Sequence, residues 1–184
     1  KAIRLARLGE KFGLPVVTLV DTPGAYPGRD AEEGGQAGAI ARSIEAFACL
    51  RVPTVTVIIG EGGSGGALGF ATADRVMMLE NSIYSVISPE GCAALVWRDS
   101  AEAPRAAAAL RVGARDLHQL GLIDVLIPEP EGGAHADHRL TARRVMQEVE
   151  LALRELLALD PDELVRRRHE KYIKMGRYAT ASSR

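Results

Sequence analysis

Apolar positions along the chain change repeatedly between helical spacing and continuous runs, which predicts helices separated by buried strands. Helical spacing is found over residues 1–12 and again over about 31–50, where one apolar stripe comprises Ile40, Ile44, Phe47 and Leu50. Continuous apolar runs occupy 14–21 and 52–60, and such runs are typical of strands that are buried on both faces. This alternation predicts an α/β layered fold with right-handed crossover connections.

Later segments continue the alternation. The further predicted elements are, in order, a short helix over about 65–73, two short strands within 75–88, a helix from Pro89, helices over 101–111 and 114–121, a strand over 122–130, and helices over 139–159 and from Asp160. We predict a core over residues 1–130, followed by a linker and C-terminal helices over 131–184.

Composition excludes several classes of protein. The 184 residues are 47% hydrophobic and 26% charged, with a formal net charge of -1, which fits one globular domain and argues against nucleic-acid binding through a broad basic surface. No apolar run approaches the ~20 residues that span a bilayer, so no membrane-spanning helix is predicted. Cys49 and Cys92 lack CxxC spacing, which fits a reducing compartment and argues against a zinc site formed by this chain.

Residues 57–70, VIIGEGGSGGALGF, run an apolar strand into a glycine cluster that fits two known motifs. GEGGSG (60–65) has the spacing of a dinucleotide-binding loop, and GGSGG (62–66) has the spacing of a serine nucleophile elbow. A dinucleotide-binding loop should begin the fold, and an acid should end the next strand. Here two predicted elements precede the motif, and the acid at the expected distance, Glu80, follows only a short apolar segment.

The nucleophile-elbow interpretation requires a base and an orienting acid near Ser64. The four histidines lie in a predicted helix, in the linker or among arginines: His118, His135, His138 and His169. None of these settings is typical of a catalytic base, and we predict instead that Ser64 is a helix N-cap.

In a third interpretation the glycines act through their own backbone N–H groups. Without Cβ atoms, such groups at the start of a helix can approach a ligand closely, and the helix dipole favours negative charge there. Fixed donors of this kind stabilise an oxyanion where it develops. The cluster holds more glycines than a tight turn requires, which favours this interpretation.

Three other segments invite a functional interpretation. DTPG (21–24) resembles the DxxG element of GTPases, but the sequence has no GxxxxGK[ST] loop to hold the phosphates. In ISPEGCA (87–93), Ser88 is predicted to cap a helix that begins at Pro89. The arginines over 166–168 are predicted to lie on a solvated helix face, which could also contact an acidic partner or a phosphate of coenzyme A.

Five segments in order across nearly the whole chain resemble the carboxyltransferase alpha subunit of bacterial and plastid-type acetyl-CoA carboxylase: DTPGAYPG, EEGGQAGAIAR, VIIGEGGSGGAL, YSVISPEGCAALVW and LIDVLIPEPEGGAH. One departure is Gly34-Gly35-Gln36, where the family often has Arg before Gly, and it puts the role of that arginine in doubt. Because the sequence begins at Lys1 within a predicted helix, we expect an N-terminal part of the subunit to be missing from it.

The resemblance implies a crotonase-like ββα superhelix with a C-terminal helical extension. It also implies transfer of a carboxyl group from carboxybiotin to acetyl-CoA, which gives malonyl-CoA for fatty-acid synthesis. The implied partners are a zinc-ribbon-bearing beta subunit in a heterotetramer, the biotin carboxyl carrier protein and biotin carboxylase. The implied location is the cytoplasm or the plastid stroma, and biotin is the implied cofactor.

The resemblance also assigns roles to residues. It places the backbone amides of Gly65 and Gly66 in an oxyanion hole for the biotin enolate, with Gly62 and Gly63 shaping the approach. It lines the pocket wall with two segments, Pro23, Gly24, Ala25 and Tyr26 in one and Ser88, Pro89, Glu90 and Gly91 in the other. No side-chain acid or base is required from this chain, and no metal.

Two kinds of alternative remain open at this stage. A carboxyltransferase of the propionyl-CoA type, or of a biotin-dependent decarboxylase, would use the same fold, although ISPEGCA favours the acetyl-CoA enzyme. A crotonase-fold serine hydrolase, either a peptidase or a thioesterase, would instead use Ser64 as a nucleophile.

Overall fold

A computed structural model describes residues 1–176 of the chain. Its helices and strands are, in chain order, α1 (Ala2–Lys11), β1 (Val16–Thr22), α2 (Arg29–Glu33), α3 (Gln36–Cys49), β2 (Thr54–Gly63), α4 (Ser64–Ala71), β3 (Arg75–Leu79), β4 (Ile83–Ser85), α5 (Pro89–Trp97), a 3₁₀ turn (Ser100–Glu102), α6 (Ala103–Leu110), α7 (Ala114–Gln119), β5 (Val125–Ile127), α8 (His138–Leu156) and α9 (Pro161–Ile173). Within this described part, no helix has the length and apolarity needed to cross a membrane.

The strands form a parallel sheet in the order β1-β2-β3-β5, and β4 pairs with the far end of β2. The first half of β2 pairs with β3, with Val55 opposite Arg75, whereas its end pairs with β4, with Glu61 opposite Ile83. Between Val20 and Thr22 the register of β1 on β2 shifts. Parallel strands require crossover connections, and α2, α3 and α4 provide them here.

The continuous apolar run of β2 is explained by burial on both faces. Ile58 packs in one cluster with Val20 and Met78, whereas Val55 and Val57 pack in another. The second cluster also contains side chains of α8 and α9: Val149, Ala152, Leu156 and Leu164. The division at residue 130 stays a prediction, and residues 177–184 of the predicted C-terminal part lie outside the described residues.

Three predicted elements differ from the structure. The helix expected over 31–50 is two helices, because Gly35 adopts a left-handed conformation with a φ of 75° that interrupts the helix. Strand β2 extends past residue 60 to Gly63, because its glycine-rich end pairs with β4. The last strand is limited to Val125–Ile127 and ends before Pro128, which has no N–H to donate.

The prediction that 166–168 form a solvated face is wrong for Arg168, whose side chain is 1% exposed. Its guanidinium donates to both carboxylate oxygens of Asp74 at 2.8 and 2.7 Å, and also to the backbone carbonyls of Phe47, Leu50 and Val52. Arg166 and Arg167 are exposed and pair with Glu163, as a solvated face requires. The buried Arg168 thus helps to attach α9 to the core, together with the apolar side chain of Leu164.

Candidate active site at the glycine-rich turn

The candidate site is the turn at which β2 ends and α4 begins. Gly63 is the N-cap of α4 and has extended backbone angles, and Ser64 is the first helical residue. Because the carboxyl ends of parallel strands in α/β sheets are where ligands bind, this turn lies at the edge of the sheet where a site is expected. Its residues are half-buried, whereas Gly62 is buried beneath them.

The prediction that Ser64 is a helix N-cap is wrong. Gly63 occupies the cap position, no side chain within residues 1–176 caps α4, and Ser64 itself has a φ of 48°. A positive φ is uncommon for a residue other than glycine, and it gives the chain the sharp bend from strand to helix. Among the described residues no hydrogen bond joins the Ser64 hydroxyl to a histidine or a carboxylate, and His169 instead contacts the carbonyl of Ala48.

The glycines of the turn allow a close approach of the loop that follows β1. A Cβ atom on Gly63 would overlap the carbonyl group of Pro23, and one on Gly66 would lie 3.0 Å from the carbonyl carbon of Gly24 and 3.2 Å from the amide of Ala25. Gly24 has a φ of 128°, which only glycine adopts readily. The structure therefore brings together Pro23, Gly24 and Ala25 with the glycine cluster, and their role in a pocket wall stays a prediction.

Gly65 and Gly66 are the second and third residues of α4. The first four N–H groups of any helix have no partner within the helix, so these two amides are available to a ligand. The helix dipole adds a positive partial charge at the same end. A Cβ atom on Gly65 would lie 3.0 Å from the Cδ1 atom of Ile40, so the space beside this amide is bounded by α3.

The segment over 88–91 lies next along the same sheet edge. Ser85, at the end of β4, pairs with Gly63, and three residues of chain place Ser88 within roughly 10 Å of Ser85. Ser88 caps α5 as predicted, since its hydroxyl accepts a hydrogen bond from the amide of Gly91 at 3.1 Å, and Pro89 occupies the first turn. The exposed side chain of Glu90 lies in that turn.

Tyr26 is 71% exposed, and its ring folds back against Gly28. No hydrogen bond or close contact links it to the glycine turn in the described part of the chain. Its role in a pocket wall stays a prediction.

Two residues that the sequence analysis did not select also support the turn. Asp21 Oδ1 accepts a hydrogen bond from the amide of Glu61 at 3.0 Å, which joins the end of β1 to the bulged end of β2. The ring of Tyr84 lies 3.0 Å from the position of a Cβ on Gly62, and burial raises the pKa of its hydroxyl to about 12. The position of Asp21 at the end of a predicted strand could have indicated that it supports the turn. The position of Tyr84 depends on a strand pairing that the sequence does not reveal.

Comparison with known proteins identifies the family. The profile of the family described as acetyl co-enzyme A carboxylase carboxyltransferase-like matches residues 1–176. The chain belongs to this family. It is 55% identical over 179 residues to the acetyl-coenzyme A carboxylase carboxyl transferase subunit alpha of Thermus thermophilus, which covers 97% of this chain and 57% of that protein. The corresponding subunit of Gemmatimonas aurantiaca is 55% identical over 181 residues, with 97% and 56% covered. The chain therefore spans little more than half the length of these relatives.

Solved structures with low sequence identity confirm the fold of this family member. A Pseudomonas malonate decarboxylase hetero-tetramer in complex with coenzyme A superimposes with a TM-score of 0.76 at 21% identity, over 91% of this chain and 66% of that one. Transcarboxylase 12S superimposes with a TM-score of 0.72 at 20% identity, over 100% of this chain and 32% of that one. The expected crotonase-like carboxyltransferase fold is confirmed.

Proposed function

We propose that the full-length protein is the alpha subunit of an acetyl-CoA carboxylase carboxyltransferase, which moves a carboxyl group from carboxybiotin to acetyl-CoA and produces malonyl-CoA. The observation that carries this proposal is the glycine-rich turn, in which two helix N-terminal amides lie beside glycines so closely packed against the loop at Pro23 and Gly24 that an added Cβ would clash. Family membership and 55% identity to alpha subunits support the same reaction. The proposed location is the cytoplasm or the plastid stroma.

The turn fits the chemistry of a flat ureido group. Carboxybiotin, when bound, supplies the carboxyl group and an oxygen on which negative charge develops as that group leaves. The amides of Gly65 and Gly66 donate to this oxygen, and the dipole of α4 favours the charge at the same position. Gly62 and Gly63 are proposed to shape the approach, since without side chains they let Tyr84 and the loop at Pro23 pack directly against the turn. The residues of this chain therefore hold the ureido group and stabilise the negative charge on its oxygen. No proton transfer by a side chain is needed.

Partner proteins are part of the proposal. We expect a beta subunit that binds acetyl-CoA and carries the zinc ribbon, a biotin carboxyl carrier protein, and biotin carboxylase. Large apolar side chains on the segment that leads into and through α5 are exposed, which supports a protein interface there: Val86, Leu95 and Val96. Ser88, Pro89, Glu90 and Gly91 lie within this surface and, with Pro23, Gly24, Ala25 and Tyr26, are proposed to border the substrate pocket.

The donor assignment is tested by two substitutions at one glycine, in the full-length subunit assembled with its beta partner. Gly65→Ala adds a Cβ atom but keeps the backbone N–H group. Gly65→Pro adds a ring and removes that N–H group. We expect Gly65→Pro to lower carboxyl transfer from malonyl-CoA to biocytin by about 10²- to 10³-fold, the cost of one oxyanion donor. Gly65→Ala should lose far less, since Ile40 is a flexible neighbour.

Equal activity of the two variants would contradict the donor assignment. Thermal melting of the assembled enzyme checks that both variants fold, because Pro also restricts the preceding Ser64. If Gly65→Pro does not fold, replacing the Gly65 amide with an ester removes the same donor without adding a ring.

A serine hydrolase is the second candidate, and one observation favours it: Ser64 lies at a strand-to-helix bend with a φ of 48°. This is the structural setting of a nucleophile elbow. Against it, the histidines at 118, 135, 138 and 169 are exposed. A hydrolase predicts thioester or peptide cleavage by the full-length chain alone, abolished by Ser64→Ala. We expect no such cleavage, and we expect Ser64→Ala to retain carboxyl transfer with the beta subunit.

A further inference from the structure

Helix α4 is poorly suited to hold its own position. It has eight residues, and Gly65, Gly66 and Gly69 are among them. Glycine disfavours helices more than any residue except proline, and isolated helices of this length are marginal in water. A segment with so little intrinsic stability must be fixed by its surroundings if its N-terminal amides are to serve as preorganised donors.

The C-terminal end of α4 is held by side-chain hydroxyls. The last four carbonyls of a helix have no partner within the helix. In α4 each of them accepts a hydrogen bond from a hydroxyl: Leu68 from Thr72 at 3.2 Å, Gly69 from Ser43 at 2.5 Å, Phe70 from Thr56 at 2.7 Å, and Ala71 from Tyr172 at 2.6 Å. We call Ser43, Thr56, Thr72 and Tyr172 the hydroxyl clamp.

Three members of the hydroxyl clamp come from separate elements, namely Ser43 from α3, Thr56 from β2 and Tyr172 from α9. The helix is therefore fixed from several directions and not by one neighbour. Thr56 is fully buried and Ser43 nearly so, which shields their hydrogen bonds from competing water.

Two members of the hydroxyl clamp, Tyr172 and Thr56, form further hydrogen bonds with neighbouring groups. The amide of Ala73 donates to the Tyr172 hydroxyl at 2.8 Å, and this hydroxyl has the carbonyl of Ala71 at 2.6 Å as its nearer acceptor and that of Ala73 at 3.0 Å as a second one. The hydroxyls of Thr18 and Thr56 lie 2.8 Å apart, so Thr18 can donate to Thr56 while Thr56 donates to Phe70. The hydroxyls of Thr56 and Tyr172 thus belong to a wider hydrogen-bond network that restricts their orientation.

We propose that the hydroxyl clamp positions the amides of Gly65 and Gly66 for catalysis, an inference that rests on the proposed function. The carbonyls that the clamp holds lie two to six residues beyond those amides in α4, about 3–9 Å along the helix axis at about 1.5 Å per residue. Releasing one carbonyl allows the short helix to tilt, and a shift of about 1 Å at a reacting group can cost ~10² in rate. Its members are positioning residues, since none of them contacts the reacting atoms.

Thr56 offers the sharpest test because three substitutions can be compared in the full-length enzyme with its beta subunit. Thr56→Val removes the hydroxyl with little change of shape, and Thr56→Ser keeps the hydroxyl but removes a methyl group. Thr54→Val is the matched control, since Thr54 is a buried threonine of the same strand whose hydroxyl contacts Asp74 and not α4. In this variant Asp74 keeps its hydrogen bonds from Arg168 and from the Thr54 amide, so α9 stays attached. We expect Thr56→Val to lower kcat about tenfold or more with little change in KM, whereas Thr56→Ser and Thr54→Val stay close to the wild type.

A direct structural measurement accompanies the kinetics. With glycine-selective isotope labelling of the full-length chain, the NMR amide signals of Gly65 and Gly66 should move in Thr56→Val and remain in place in Thr54→Val. Unchanged signals and unchanged kcat in Thr56→Val would overturn the positioning role, as would an equal loss of kcat in Thr54→Val.

The two proposals can fail separately. If the wild-type enzyme transfers no carboxyl group, the proposed function is wrong, and the NMR signals still decide whether the clamp sets the amides. If the wild-type enzyme is active but Thr56→Val matches it in kcat and in signal position, only the clamp is wrong.

Discussion

At the scale of single residues, position 63 requires glycine because the loop at Pro23 packs directly against its backbone. Its φ of -91° and ψ of 129° are available to any residue, so backbone strain does not explain the glycine. What a side chain would meet is the carbonyl group of Pro23. The same contact fixes the loop that is proposed to border the substrate pocket.

Gly63→Ala should therefore destabilise the full-length chain by about 1–3 kcal/mol, the usual range for forcing extra atoms into a packed site. Gly113→Ala is the matched control, because Gly113 is also an extended helix N-cap but has nothing within 4 Å of its Cβ position. Alanine is less favourable than glycine at a helix N-cap, and this cost in stability is the same for both variants. Urea denaturation measures the difference, and equal losses of unfolding free energy would contradict the packing argument.

Tyr84 gives the turn a dependence on pH. Burial raises the pKa of its hydroxyl to about 12, above the ordinary value of ~10. Between these values the unfolded chain releases the proton while the folded chain retains it, so stability falls as pH rises from about 10 to about 12. Below pH ~10 the effect is absent.

Comparing Tyr84→Phe with the wild type tests this effect. Denaturation measured across that alkaline range should show a shallower loss of stability for Tyr84→Phe, and tyrosinate absorbance should lose its component near pH 12. Identical alkaline profiles for the two proteins would rule out Tyr84 as the responsible group.

At the scale of elements, α9 is joined to the sheet by the buried pair of Arg168 and Asp74. Removing one partner of a buried ion pair leaves the other charged and unsatisfied, which costs about 3–5 kcal/mol. We expect Arg168→Ala to lose stability in that range, because Asp74 would remain buried with Thr54 as its other partner. Arg167→Ala should cost at most ~1 kcal/mol, since its pair with Glu163 is exposed.

Chemical denaturation of the two full-length variants separates these cases. A similar, small loss for both arginines would show that Arg168 is not the residue that attaches α9. Because Tyr172 belongs to the same helix, Arg168→Ala should also weaken the hydroxyl clamp and lower carboxyl transfer, whereas Arg167→Ala should not.

At the scale of the whole molecule, much of the architecture was readable from the sequence. Continuous apolar runs predicted two strands buried on both faces, and the clusters around Ile58 and around Val55 confirm this for β2. The prediction is wrong for β1, which exposes Val17 and Leu19 on one face. Glycine and proline signals located most helix ends, including the capped starts at Ser88 and Asp160. These features depend on local sequence, so a sequence pattern can report them.

Long-range pairings were not readable. The pairing of Ser85 with Gly63 and the contact of Tyr172 with Ala71 join residues far apart in the chain. The burial of Arg168 is of the same kind, because an arginine among other arginines has the pattern of a solvated face until its partner Asp74 is known. The cap role predicted for Ser64 was wrong for a related reason, since the contact with Pro23 makes Gly63 the cap residue.

The sequence by itself determined the alternation of helices and strands, the glycine-rich turn and the family, because each depends on residues that are neighbours in the chain. Only the tertiary structure decided what surrounds that turn. It showed the loop of Pro23 packed against the glycines, and four hydroxyls holding the far end of α4. The physical reason is that a short, glycine-rich helix has almost no preferred position of its own, so contacts from distant segments must fix it.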